Sequence, residues 1–304
     1  MSAMFPSQGE GAMFVDVPGG RVYCRTVGHG APGLPLLVLH GGPGVPHDYL
    51  EPLEALADER PVVFYDQLGC GLSDRPDDPA LFTVSRFVAE LDAVRRALKL
   101  SRLHLLGQSW GTMLAVDYLL EKGQAGVAGL VLSGPCLSAR QFAADQREHL
   151  AQMPEDVRLA IAAAEATADF ASPAYEAAVT AFYARHVCRL DPWPECLTRA
   201  IEKMGHPVYA RMWGPSEFTV TGCLAGYDRT GDLGGLRLPA LFTCGRFDEA
   251  TPATTALYRS LLPGARLRVF EDASHEHHLE RPGDYLETVA AFLRQAEAGP
   301  PGRP

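Results

Sequence analysis

The chain has 304 residues and is 47% hydrophobic, enough for one sizeable core and a smaller appended unit. Its formal charge of −10 and pI of about 5.5 exclude the basic footprint of a nucleic-acid binder. No apolar run is long enough to span a membrane, so neither a nucleic acid nor a membrane is expected as a partner.

The first thirteen residues have no basic region followed by an apolar one, so no secretory signal is predicted. The seven cysteines lack C-x-x-C spacing and predict reduced thiols in a cytoplasmic protein; Cys188 and Cys196 are also read as free. In chain order, Phe14–Val17 and Arg21–Arg25 alternate around Pro18-Gly19-Gly20, a hairpin signal. Leu36–Leu39 and Pro61–Tyr65 are short continuous apolar runs, as strands buried on both faces show. Phe82–Leu98 has helical spacing. Leu103–Leu106 is a third buried run, with one histidine inside it, and an apolar helical pattern follows at Met113–Leu120. Gly129–Leu132 is a further strand. From 137 to 236 the texture turns alanine-rich and helical, without a convincing strand. Strands resume at Pro239–Thr243 and Leu267–Phe270, and Tyr285–Ala296 reads as a closing helix. Alternating strands and helices predict an α/β protein with a mainly parallel central sheet. The expected core is residues 1–136 and 237–304, with 1–12 and 297–304 flexible. Residues 137–236 are expected to form a helical cap over the carboxyl ends of the strands, where open α/β sheets bind ligands.

Gly107-Gln108-Ser109-Trp110-Gly111 falls between the third buried strand and its helix. That is the G-x-S-x-G spacing of a nucleophile elbow, which lifts a serine hydroxyl out of the sheet at a helix N-terminus. Asp248 and His275 follow the next-to-last and last strands. A serine hydroxyl is a weak nucleophile, so an imidazole must take its proton and a carboxylate must orient the imidazole. The chain order Ser109, Asp248, His275 is that of the α/β-hydrolase fold. His40-Gly41-Gly42-Pro43-Gly44 supplies glycines whose backbone can approach an acyl group. Gly42, or else Gly41, is expected to join the Trp110 N–H as oxyanion hole. The Trp110 ring is a candidate pocket wall, and Met153, Met204 and Met212 with Trp193, Tyr209 and Trp213 are candidates for an apolar pocket in the cap, with core packing the simpler reading for most of them. Serine acyl transfer needs no cofactor, and Glu276-His277-His278 lacks the spacing of a metal site, so no metal is expected. A serine at the elbow disfavours dehalogenase and epoxide hydrolase chemistry, which use a carboxylate there.

His40–Gly44, Tyr65-Asp-Gln-Leu-Gly-Cys-Gly71, Gly107–Gly111, Gly214-Pro-Ser-Glu-Phe218, Gly245-Arg-Phe-Asp-Glu249 and Ser274-His275 together resemble the proline iminopeptidase family of α/β-hydrolase serine peptidases. The likeness is closest to its tricorn-interacting-factor branch, aminopeptidases of broad N-terminal specificity. It runs from Phe14 to Ala290. Thr112 stands where the family usually has glycine, and the segment after His275 is more polar than the family's Met- or aromatic-containing stretch. The resemblance implies that Glu217 and Glu249 bind the free α-ammonium of a small or short-peptide substrate. An esterase, amidase or lactonase on the same scaffold is the alternative reading; an inactive binding protein is disfavoured by the intact Ser109, Asp248 and His275.

Overall fold

A computed structural model describes residues 11–299. The strands are β1 (Ala12–Val17), β2 (Gly20–Val27), β3 (Leu36–Leu39), β4 (Val62–Tyr65), β5 (Leu103–Gln108), β6 (Val127–Ser133), β7 (Ala240–Gly245) and β8 (Arg266–Phe270). They form one sheet in the order β1-β2-β4-β3-β5-β6-β7-β8. β1 and β2 pair antiparallel, as does β2 with β4; every pairing from β4 to β8 is parallel. β3, β4 and β5 are buried at every position, which is why their sequences are continuous apolar runs rather than alternating ones.

Helices α1 (Val84–Ala97) and α2 (Trp110–Glu121) flank β5. Thr83 caps α1 through its side-chain oxygen, which accepts from the Arg86 N–H. α2 is apolar nearly all round, and its residues 110–119 are all buried, as expected of a helix with no solvent face. Between β6 and β7 the chain builds α3 (Ala139–Ala151), α4 (Glu155–Thr167), α5 (Pro173–His186), α6 (Glu195–Glu202) and α7 (His206–Met212). Among the described residues this stretch contains no strand, only isolated bridges. Met153, Val157, Ile161, Tyr175, Phe182 and Phe218 form part of an apolar cluster of its own. The chain then returns to the sheet and closes with α8 (Pro252–Leu261), the short α9 (His277–Glu280) and α10 (Pro282–Ala298). All seven cysteines are free. Among the described residues no helix is long and apolar enough to cross a membrane.

The expected flexible ends need correction where they are described. Ala12 already pairs with Arg25 in the sheet. Good helix formers carry α10 through Ala298, and Glu297 points back at the core. There it pairs with Arg60 and lies 3.0 Å from His104 Nε2. Arg60 is 1% exposed, and a guanidinium that deep requires a counter-charge. Residues 1–10 and 300–304 lie outside the described residues. Glu297→Ala is therefore expected to destabilise the protein by about 2–3 kcal/mol, less than a fully buried pair would lose because water reaches Glu297. A lower urea midpoint with an unchanged m-value would record it.

Candidate active site

Three strands of the sheet, β5, β7 and β8, deliver the three groups at their carboxyl ends. Ser109 follows β5 at φ 52°, ψ −120°, a conformation side chains rarely adopt and one that stores strain at functional turns. The flanking glycines make it possible. A Cβ on Gly111 would lie 2.1 Å from the Leu39 carbonyl oxygen, and one on Gly107 would lie 2.3 Å from the Gly111 oxygen. Thr112, the departure from the family pattern, is used: its hydroxyl donates to the Ser109 carbonyl at 2.6 Å and accepts from the Cys136 N–H at 3.2 Å. It ties the elbow to the loop after β6.

Asp248 follows β7 and His275 follows β8. His275 Nδ1–H donates to Asp248 Oδ1 at 2.7 Å. Asp248 also accepts from the Gly245 and Ala250 N–H groups, at 3.1 and 2.8 Å. Gly245 permits the two loops to meet, since a Cβ there would lie 2.3 Å from the Ser274 carbonyl oxygen. His277 lies 3.5 Å from the other Asp248 oxygen and contacts Ser133 and Thr243 through Nε2. Burial alone would raise Asp248, but the His275 and His277 rings override it and hold the carboxyl far below the usual range. Burial alone would lower His275; the Asp248 and Glu249 carboxylates outweigh it and hold the ring well above its ordinary value. Helices of the inserted stretch hold these loops. The His186 carbonyl accepts from both the Glu249 and His275 N–H groups, and His149 Nε2 lies 3.2 Å from the Asp248 carbonyl.

Ser109 and His275 line one cavity of about 250 Å³, together with Gly42, Glu217 and Glu249. Among the described residues no hydrogen bond joins Ser109 to His275; such contacts commonly tighten only with substrate bound. The Gly41 N–H is already taken, donating to Tyr49 Oη at 2.8 Å, while that hydroxyl donates to Gln108 at 2.5 Å. Gly42, at φ 106°, lines the cavity instead. Gln67 braces the same loop from the DQLGCG stretch. Its N–H donates to His40 Nε2 at 2.9 Å, its amide donates to the His40 carbonyl at 3.0 Å, and its oxygen accepts from the Trp110 indole at 2.8 Å. Burial pulls the His40 pKa down to about 4, so the ring is a neutral acceptor. The Trp110 ring thus faces the core, edge-on to Phe87, and does not wall the cavity. Of the six cap candidates Met204, Trp193 and Tyr209 do, whereas Met153, Met212 and Trp213 are packed into the apolar clusters.

Glu217 accepts from the Tyr209 hydroxyl at 2.5 Å, and Glu249 lies 3.5 Å from His275 Nε2 with its Oε2 unpaired. Burial raises both carboxyls, and the charge of Glu217 raises Glu249 further. Sequence reasoning missed three groups: Tyr49, Gln67 and a third cavity carboxylate, Glu276. Only the unusual polarity of the segment after His275 hinted at the last. His277 and His278 are engaged within the protein, His278 with the Tyr49 carbonyl at 3.0 Å.

A sequence profile of the alpha/beta hydrolase fold matches residues 35–282. The proline iminopeptidase of Heyndrickxia coagulans is 45% identical over 281 residues, 92% of this chain and 97% of its own. The crystal structure of proline iminopeptidase from Mycobacterium smegmatis aligns with a TM-score of 0.87 at 35% identity, over 94% of this chain and 99% of that one. The crystal structure of VinJ aligns with a TM-score of 0.89, also at 35% identity, over 94% and 98%. These relatives speak to the family and not to its tricorn-interacting-factor branch. At such identity and coverage, this chain belongs to the proline iminopeptidase family of α/β-hydrolase enzymes.

Proposed function

We propose that this protein is a serine aminopeptidase that releases the N-terminal residue of short peptides or aminoacyl amides through an acyl-enzyme. One observation carries the reading. Two carboxylates, the buried Glu249 and the partly buried Glu217, share the cavity of Ser109 and His275, and among the described residues no lysine or arginine lines it. Two acids this close together with no lysine or arginine beside them are costly, and a substrate's free α-ammonium offsets that cost by charge-assisted hydrogen bonds. A neutral ester or lactone would leave them unmatched, which disfavours that alternative.

In this mechanism the ammonium docks between Glu217 and Glu249 and sets the first carbonyl over Ser109. It also neutralises the charge 3.5 Å from His275 Nε2, so the ring gives up its Nε2 proton to solvent and becomes a free base. His275 then takes the Ser109 proton as the hydroxyl attacks, and returns one to the leaving amine. Asp248 keeps the tautomer and stabilises the imidazolium. Gly42 and Trp110 donate their N–H groups to the oxyanion; the occupied Gly41 N–H supports Gly42 for that role. Residues 137–236 serve as the cap on a core of 1–136 and 237–304, and broad specificity of the tricorn-interacting-factor kind is the expected behaviour. The test compares an aminoacyl p-nitroanilide with its N-acetylated form. Hydrolysis of the free amine alone is expected, with kcat/KM at least about 10²-fold higher; equal turnover of both would overturn the reading.

A further inference from the structure

The loop Phe247-Asp248-Glu249 presents three successive carbonyls to the inserted helices. The Phe247 carbonyl lies 2.9 Å from His186 Nδ1, the Asp248 carbonyl lies 3.2 Å from His149 Nε2, and the Glu249 carbonyl accepts from the Gln146 amide at 2.9 Å. Gln146 and His149 stand on α3, and His186 ends α5. A carbonyl only accepts, so each imidazole must donate through the nitrogen that faces the loop. Burial lowers both rings, His186 to about 4, so both are neutral and each has one N–H to give. The other nitrogen of His186 has no hydrogen-bond partner; it is the lone-pair side of that tautomer.

The two rings act as one unit. Their centroids lie 4.0 Å apart with the planes inclined at 33°, and the Phe182 ring packs against both, 4.9 Å from His186 and 6.5 Å from His149. Phe182 is fully buried in the apolar cluster of the inserted stretch, so the pair is fixed from that side and not from the sheet. Asp248 turns its carboxylate to His275 and its carbonyl to His149. A shift of about 1 Å in such a loop can cost about 10²-fold in rate. Resting on the aminopeptidase reading, we propose that His149 and His186 are positioning residues: stacked on each other, they hold the carbonyls of the acid loop and so set Asp248 against His275 and Glu249 against the substrate ammonium.

The experiment measures kcat/KM and its pH profile for a neutral p-nitrophenyl ester and a free-amine p-nitroanilide, well below the melting temperature. His149→Leu and His186→Leu, which keep bulk and lose the donor, are expected to lower kcat/KM for both substrates by about 10–100-fold. The anilide should lose more, because Glu249 rides on the same loop. Asp248, Glu249 and Glu276 are the charges that hold the proton on His275 against burial, and two of the three belong to that loop. Displacing it lowers the imidazole pKa, so the acidic limb of the ester profile moves to lower pH. His149→Gln and His186→Asn place an amide N–H near where Nε2 and Nδ1 stand, and should recover most of the rate. His149 is only partly buried, so its variants serve if those of His186 do not fold. A lower melting temperature with kcat/KM and the acidic limb unchanged would mean a merely structural pair and would overturn the proposal. A loss that the amide variants do not recover would overturn the hydrogen bonds as its cause. Equal native turnover of the anilide and its N-acetylated form would overturn the aminopeptidase reading alone, because the ester measurement judges the pair by itself.

Discussion

Ser109→Ala is expected to reduce kcat for a free-amine anilide by on the order of 10⁵-fold or more, with the melting temperature scarcely changed. The hydroxyl is the only group at the elbow that can form the acyl-enzyme. Alanine keeps the Cβ that already sits at φ 52°, so it adds no backbone strain. The glycines that shape the turn stay in place, and so do the Tyr49–Gln108 and Gln67–Trp110 contacts around it. Residual rate would come from the oxyanion donors and from substrate positioning. His275→Ala should lose a similar amount, and the double variant little more, because the pair acts as a unit. Activity within tenfold of the native enzyme, in a preparation shown free of contaminating peptidase, would remove Ser109 from its proposed role.

Glu217→Gln and Glu249→Gln are expected to lower kcat/KM for free-amine substrates by about 10²–10³-fold, the scale for breaking a buried charge pair. A neutral ester should lose far less, since it makes no such pair. The two variants then part company in pH dependence. Glu249 lies 3.5 Å from His275 Nε2, and its charge helps to hold the proton on the ring. Removing that charge lowers the imidazole pKa, so the acidic limb of the ester kcat/KM profile moves to lower pH in Glu249→Gln. Glu217, held by the Tyr209 hydroxyl, should produce a smaller shift. Equal losses on amine and ester substrates would mean that these acids serve the structure and not the substrate.

Much of the fold was readable before the structure because its cues are local. Leu36–Leu39 and Leu103–Leu106 show the burial of central parallel strands in their composition. Gly107 and Gly111 mark a turn where any Cβ would meet backbone. The flexible-tail expectation failed at residues 297 and 298 because Glu297 answers a charge at Arg60, 237 positions away. No window of sequence contains both. The Trp110 ring was misjudged as a wall for the same reason: Gln67, from another loop, holds it inward.

Composition and spacing alone determined that this is an α/β protein with a serine at an elbow and an acid and a histidine at later strand ends. Those features repeat within a few residues, where backbone geometry and burial leave a direct trace. Only the tertiary structure decided that Gly41 is occupied by Tyr49, that His277 stands behind Asp248, and that Glu276 joins Glu217 and Glu249 in one cavity. Each depends on loops from separate strands arriving within hydrogen-bond or Coulomb range. Distance in space, which sets those energies, is not encoded in distance along the chain.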